Sequence, residues 1–238
     1  MKKAIIIGVG PMEGLGARLC QRFAAEGLHV ILAGRTGDRL ESLVKHIRDD
    51  GGQATSVVAD AIREEDMLQL FDVAGDDLDL AIYNAGNNTP GRIADMEAAY
   101  FEKAWRIGCY GGFLFGREAV RRMAARGGGT LLFTGASASL RGRANFGAFN
   151  AAKSGLRTLA QAMAKEYASD GVHVGHVVID GAIGGEKIKQ AAPDYAEKLG
   201  EDGLISLDGI VDGYMFLYRQ PPRAWTFELD VRTSRERW

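Results

Sequence analysis

Lys3-Ala4-Ile5-Ile6-Ile7-Gly8-Val9-Gly10-Pro11-Met12-Glu13-Gly14-Leu15-Gly16 runs from a short apolar stretch into a glycine-rich turn. Beyond it, an amphipathic pattern predicts a helix over residues 15–26. A strand, a turn of small residues and a helix, in that order, form a unit that receives phosphate. Small residues let backbone approach a ligand closely. The helix start offers free N–H groups and the positive end of its dipole. The strict G-x-G-x-x-G spacing fails, because counting from Gly8 puts Glu13 at the third glycine. Gly10-x-x-x-Gly14-x-Gly16 supplies a second spacing with the same physics. A carboxylate at Glu13 does not help a phosphate site unless it points away.

Working outward, short apolar runs alternate with helical patterns. Strands are expected over residues 3–9, 29–33, 54–59, 78–83, 130–134, 173–179 and 225–231. Helices are expected over residues 15–26, 38–50, 64–73, 95–106, 113–125, 148–169 and 207–218. The strand cores are near-continuous apolar runs, as required of a parallel sheet covered on both faces. The alternation predicts an α/β fold: one doubly wound parallel sheet of about seven strands, with helices on both faces. A chain of 238 residues fits one such domain over residues 1–238.

Composition narrows the function. The 46% apolar and 25% charged residues are ordinary globular composition, and a net charge of −2 argues against nucleic acid as the main partner, which would want a basic face. No stretch reaches the roughly 20 apolar residues of a membrane span. The opening Met1-Lys2-Lys3 followed by isoleucines faintly resembles a secretion signal, but Pro11 and Glu13 end the apolar run too early, so a buried first strand is expected. Cys20 and Cys109 have neither C-x-x-C spacing nor a nearby histidine in sequence, and read as small core residues in a reducing cytoplasm. His29, His46, His173 and His176 show no metal spacing, and no metal is expected. His173 and His176 would point to opposite faces of a strand.

Arg35 follows the second predicted strand directly. An acid there would grip the ribose 2′-hydroxyl of NAD, whereas arginine suits the 2′-phosphate of NADP. Asp60 ends the third strand, where it can accept from an adenine amino group or cap the following helix. Asn84-Ala85-Gly86 ends the fourth, with small residues that let the loop pass beneath a cofactor.

Gly10, Gly14 and Gly16, Asp60, Asn84-Ala85-Gly86 and the lysine helix at Lys153 together resemble the short-chain dehydrogenase/reductase family over essentially the whole chain. The resemblance implies a nicotinamide cofactor, which Arg35 makes NADP(H), NAD fitting less well. It adds Met12, Leu15, Ala61, Lys153, Gly181 and Ile183 to the cofactor contacts. It also implies an active site of Asn, Ser, Tyr and Lys, and here the chain departs. Phe149 stands four residues before Lys153, where the family's tyrosine belongs. Ala136 takes the serine position and Gly108 the asparagine position, and Asp180-Gly181 replaces Pro-Gly. The chain thus looks like a divergent subgroup with Phe in place of the catalytic Tyr. In the family, tyrosine protonates the carbonyl oxygen as hydride leaves the nicotinamide, and lysine also binds the nicotinamide ribose. Phenylalanine can do no proton chemistry, and general acid help is typically worth ~10²–10⁴ in rate.

Candidate replacements are Ser137 and Ser139 beside the lost serine, Asn87 and Asn88 after the fourth strand, Tyr110 near the lost asparagine, Asn150 beside Phe149, and Asp180. Each has an ordinary structural alternative as a turn former, cap or core residue. In the family the loop before the last helix covers the substrate; here it spans about residues 183–206. Ile188, Ala192, Tyr195 and Leu199 are spaced to form one apolar face of a lid helix, which points to a partly apolar substrate. The resemblance further implies subunit contacts through the helices at 113–125 and 148–169, hence a homodimer or homotetramer. Three functions follow in order of preference. The first is an NADP(H)-dependent oxidoreductase acting on a small to medium carbonyl or alkene with a non-standard proton donor. The second is a non-redox enzyme (dehydratase, isomerase or cyclase), and the third is a catalytically inactive NADP-binding protein.

Overall fold

The computed structural model describes residues 1–88 and 90–236. Its elements run β1 (Lys3–Ile7), α1 (Leu15–Ala25), β2 (His29–Gly34), α2 (Gly37–Asp49), β3 (Gln53–Val58), α3 (Glu64–Ala74), β4 (Leu78–Tyr83) and α4 (Ala98–Trp105). A π-helical turn (Arg106–Tyr110) joins α4 to α5 (Gly111–Ala125), and β5 (Gly129–Thr134), α6 (Gly147–Tyr167) and β6 (Val172–Ile179) follow. The chain then forms β7 (Ala182–Ile183), α7 (Glu186–Ala191), α8 (Pro193–Gly203), β8 (Leu204–Ile205), α9 (Leu207–Tyr218) and β9 (Glu228–Val231).

Seven strands make one sheet in the order β3-β2-β1-β4-β5-β6-β9, and every pairing is parallel. Alternate residues of β1 enter opposite layers. Ala4 and Ile6 join the core formed with α1, α2 and α9, while Ile5 and Ile7 join the core formed with α3, α5 and α6. Burying each such side chain contributes about 1.5–3 kcal/mol, so the double coverage dominates stability. All eight residues of β6 are buried, which is why its run carries almost no polar alternation.

The direction of winding reverses between β1 and β4. The carboxyl ends of these neighbours open a crevice, the place where such sheets bind ligands. Several expected boundaries shift for local reasons. The first strand stops at Ile7 rather than 9, because Gly8 turns the chain with φ +89°. The expected 95–106 helix starts at Ala98, and from Arg106 it widens into the π-turn. The last strand begins at Glu228, later than 225.

The expected single lid helix is corrected to two. Ala192 takes φ −150° and ψ 64° before Pro193, because the proline ring disfavours helical backbone in the residue before it. Tyr195, placed on the apolar face by the spacing, is 50% exposed, and Ala196 is buried instead. The two-residue pairing of β7 with β8 staples the base of this segment.

Candidate functional site

The glycine turn is shaped by contact with the loop after β4. A Cβ added at Gly8 would lie 2.5 Å from the Ala85 nitrogen, and one at Gly16 would lie 2.8 Å from the Gly8 oxygen. Gly10 has no atom within 4 Å of such a Cβ, so its face is open to the crevice. Gly14 caps α1 without any side-chain hydrogen bond, which leaves the first-turn N–H groups to an anion. Leu15 is buried beneath the turn, and Met12 is 40% exposed at its rim. The exposed Glu13 places only its carbonyl in a structural bond, accepting from Glu186 N at 2.8 Å.

Asn84 ties the strand ends together. Its Nδ2 donates to the Gly8 oxygen at 3.2 Å, and its Oδ1 accepts from Thr134 Oγ1 at 3.0 Å. Thr134 Oγ1 also lies 2.6 Å from the buried Tyr214 hydroxyl, so three strands and α9 share one network. Asp60 Oδ1 accepts from Ile62 N at 3.3 Å, a local turn, while Arg63 occupies the N-cap of α3. The expected helix-cap alternative for Asp60 is therefore not what forms. Ala61 is buried behind it. Arg35 is exposed beyond the end of β2, and neither it nor Arg39, also exposed in the first turn of α2, makes an ion pair among the described residues. Gly181 precedes β7 and Ile183 belongs to it, at the base of the lid. An open glycine at position 10, uncapped N–H groups and an exposed guanidinium fit a dinucleotide.

Lys153 is 5% exposed on α6, and its Nζ donates to the Thr134 oxygen at 2.8 Å. Burial, and then the charge of Lys187, push its pKa down from 10.5 to about 8. Gly86 must be small, since a Cβ there would sit 3.2 Å from this ammonium. Phe149 lies one turn earlier, on the same face of α6. Ala136 follows the end of β5. Gly108 is buried in the π-turn, and a Cβ on it would fall 2.6 Å from the Ala152 Cβ. Helix-to-helix contact thus fills the asparagine position. Tyr83 supports that turn from below, donating its hydroxyl hydrogen to the Ile107 oxygen at 2.6 Å.

The candidate replacements separate by their bonds. Ser139 is buried, and its Oγ accepts from Ala136 N at 3.1 Å. Asn150 accepts from Arg143 N at 3.1 Å and donates to the Arg141 oxygen at 2.5 Å, so its amide holds the 138–143 loop. Tyr110 stacks with Trp105 at 6.2 Å and lines a groove with Phe113 and Leu159. Asp180 is 2% exposed, and Arg141 Nη2 donates to both its oxygens at 2.8 and 3.0 Å. Ser137 and the exposed Asn88 keep unbonded side chains among the described residues. Asn87 accepts from Lys187 Nζ at 2.5 Å.

Lys187, Arg141 and a His176–Glu228–Arg157 chain rooted in the buried His176 are site neighbours that sequence patterns did not single out. His176 is fully buried, its Nδ1 lies 3.0 Å from Glu228 Oε2, and burial lowers its pKa from 6.5 to about 4. Arg157 clamps the same carboxylate at 2.5 and 2.8 Å. No spacing rule reaches these contacts, because their partners lie 39 to 100 residues apart.

Similarity to known proteins agrees with this geometry. A family model described as short chain dehydrogenase matches residues 2–191. Sorbitol-6-phosphate 2-dehydrogenase of Escherichia coli (strain K12) is 30% identical over 204 residues, covering 83% of this chain and 78% of that protein. Uncharacterized oxidoreductase YuxG of Bacillus subtilis (strain 168) is 29% identical over 192 residues, or 78% of this chain, but the chain spans only 28% of its length. A crystal structure of a short-chain dehydrogenase from Rhodopseudomonas palustris is 35% identical with a TM-score of 0.83, covering 97% of this chain and 98% of that one. With its seven-stranded parallel sheet, glycine turn and buried lysine, the chain belongs to the short-chain dehydrogenase family.

Proposed function

We propose that this chain is an NADP(H)-dependent oxidoreductase that acts on a small to medium, partly apolar carbonyl or alkene with a non-standard proton donor. The observation that carries the NADP preference is Arg35. It is exposed at the end of β2, where an acid would favour NAD, and makes no ion pair among the described residues. Arg39 stands nearby in the sequence, likewise without an ion pair among the described residues, and strengthens an anion-binding subsite.

The bound cofactor supplies the hydride. The chain's residues supply the rest. The glycine turn and the first N–H groups of α1 receive the diphosphate, and Asn84 holds the strand ends in register beneath it. Lys153, fixed by the Thr134 carbonyl, offers its remaining N–H bonds to the ribose side of the crevice. Phe149 and Ala136 line the reacting end with carbon instead of hydroxyls, which excludes water and favours an apolar substrate body.

The test is consumption of NADPH, followed by its absorbance, over a panel of ketones, aldehydes and enones. Turnover of any member supports the reading. NADPH binding with no turnover across the panel counts against it.

A second reading, a non-redox enzyme on this fold, draws on Gly108. Its packing on Ala152 indicates a rebuilt site and not simply a deleted one. Substrate turnover with no change in nicotinamide absorbance would favour it. We also propose a homodimer or homotetramer, supported by the apolar groove along Trp105, Tyr110, Phe113 and Leu159. A cytoplasmic location goes with the reduced, buried Cys20 and Cys109.

A further inference from the structure

We propose that Lys187, carried by the lid, supplies the proton that the missing tyrosine would have given, by meeting the substrate's carbonyl oxygen opposite the nicotinamide. This inference rests on the oxidoreductase reading.

Three observations lead to it. The first is position. Lys187 Nζ reaches from α7 to Asn87 Oδ1 at 2.5 Å, across 100 residues of sequence. Asn87 directly follows Gly86, whose missing side chain makes room for the Lys153 ammonium. The two ammonium groups also influence each other electrostatically. Lys187 therefore stands in the same crevice, at the carboxyl ends of β4 and β5.

The second is availability. Lys153 is buried and bound to Thr134, Ser139 and Asn150 hold loop backbone, and Asp180 is clamped by Arg141. Among the described residues, Lys187 has one neutral partner, Asn87, and no ion pair. The neighbouring carboxylate of Glu186 turns to Gln190 Nε2 at 2.6 Å, and Glu13 meets the lid through its carbonyl. Lys187 is exposed at the mouth of the crevice, and partial burial of its ammonium lowers its pKa.

The third is coupling. Glu186 N donates to the Glu13 oxygen at 2.8 Å, so the residue before Lys187 is tied to the turn that receives the diphosphate. A cofactor that settles this turn also settles the donor.

The step balances as follows. Hydride from NADPH forms the new C–H bond, and the carbonyl π pair moves to oxygen. That oxygen takes a proton from the Lys187 ammonium, giving the alcohol and NADP⁺. The neutral amine left behind regains a proton from water.

The test compares wild type with Lys187→Met and Lys187→Arg. NADPH affinity is measured by calorimetry and kcat on the carbonyl panel. Both variants should bind NADPH within about twofold of wild type and lose about 10²-fold in kcat, since a general acid contributes on that order and arginine does not release its proton. Wild-type kcat should fall as pH rises through the lysine pKa, and the Met variant should lose this limb. Unimpaired kcat in Lys187→Met, full activity in Lys187→Arg, or a tenfold loss of NADPH affinity with kcat intact would each overturn the assignment. If wild type itself reduces nothing, the oxidoreductase reading fails separately. A crystal structure with NADP⁺ then decides the lysine on its own. An ammonium facing the nicotinamide C4 supports the assignment, and an ammonium on the diphosphate overturns it.

Discussion

Lys153 shows what a buried ammonium costs the fold. Its folded pKa of about 8 lies below the ordinary 10.5 because burial opposes the charge. Between those values the unfolded chain binds more protons than the folded one, so stability rises with pH across that window. Below pH 8 the penalty is fully present and amounts to about 3 kcal/mol at ~1.4 kcal/mol per unit. Lys153→Met should therefore raise the unfolding free energy by about 1–3 kcal/mol at pH 7 while abolishing NADPH affinity. The gain should shrink as pH climbs from 8 to 10.5, as wild type sheds its proton. Denaturant titrations at several pH values check this, and a variant no more stable than wild type at pH 7 would refute it. At this scale the sequence revealed a good deal. Lys153, Phe149, Ala136 and the glycines stand at spacings that a reader can count. Lys187 was illegible, because its partner Asn87 is reached only through the fold and a lysine in a polar loop carries no distinguishing pattern.

The π-turn and α6 meet where the family resemblance puts the asparagine position. Asparagine cannot simply return to position 108, because the first carbon of its side chain would sit 2.6 Å from the Ala152 Cβ. Gly108→Asn should cost about 1–3 kcal/mol through overpacking. Pairing it with Ala152→Gly should recover part of that loss beyond additivity, once the intrinsic cost of glycine in a helix is measured alone. Urea unfolding of the double-mutant cycle gives the answer, and a wild-type stability for Gly108→Asn would show that the helices part easily. Strands and long helices were readable because buried runs and amphipathic repeats extend over many residues. The lid was misread because spacing alone carried one helix through Pro193, although the ring forbids it. The π-turn was unreadable, since its contact with the Tyr83 hydroxyl at the Ile107 carbonyl is made across the fold, from β4.

At the scale of the whole molecule, the reversal between β1 and β4 places the glycine turn, the Asn84 loop and Lys153 around one crevice. The alternation of elements foretold the layered architecture. It did not foretell that the lid would reach both the glycine turn and Asn87, since those contacts depend on the closed arrangement of β7 and β8. The apolar groove along Trp105, Tyr110, Phe113 and Leu159 leads us to expect sedimentation as a dimer or tetramer at micromolar concentration. A monomer of 25.7 kDa would contradict that assembly. The central claim, a working NADP(H) site beside a rebuilt proton path, is tested most directly by calorimetric titration of wild type and Arg35→Ala with NADPH and NADH. NADPH should bind wild type more tightly than NADH. Loss of Arg35 should weaken NADPH about 10–100-fold, the worth of a charged hydrogen bond, and leave NADH nearly unchanged. Equal affinity for both cofactors, or no binding of either, would contradict the account.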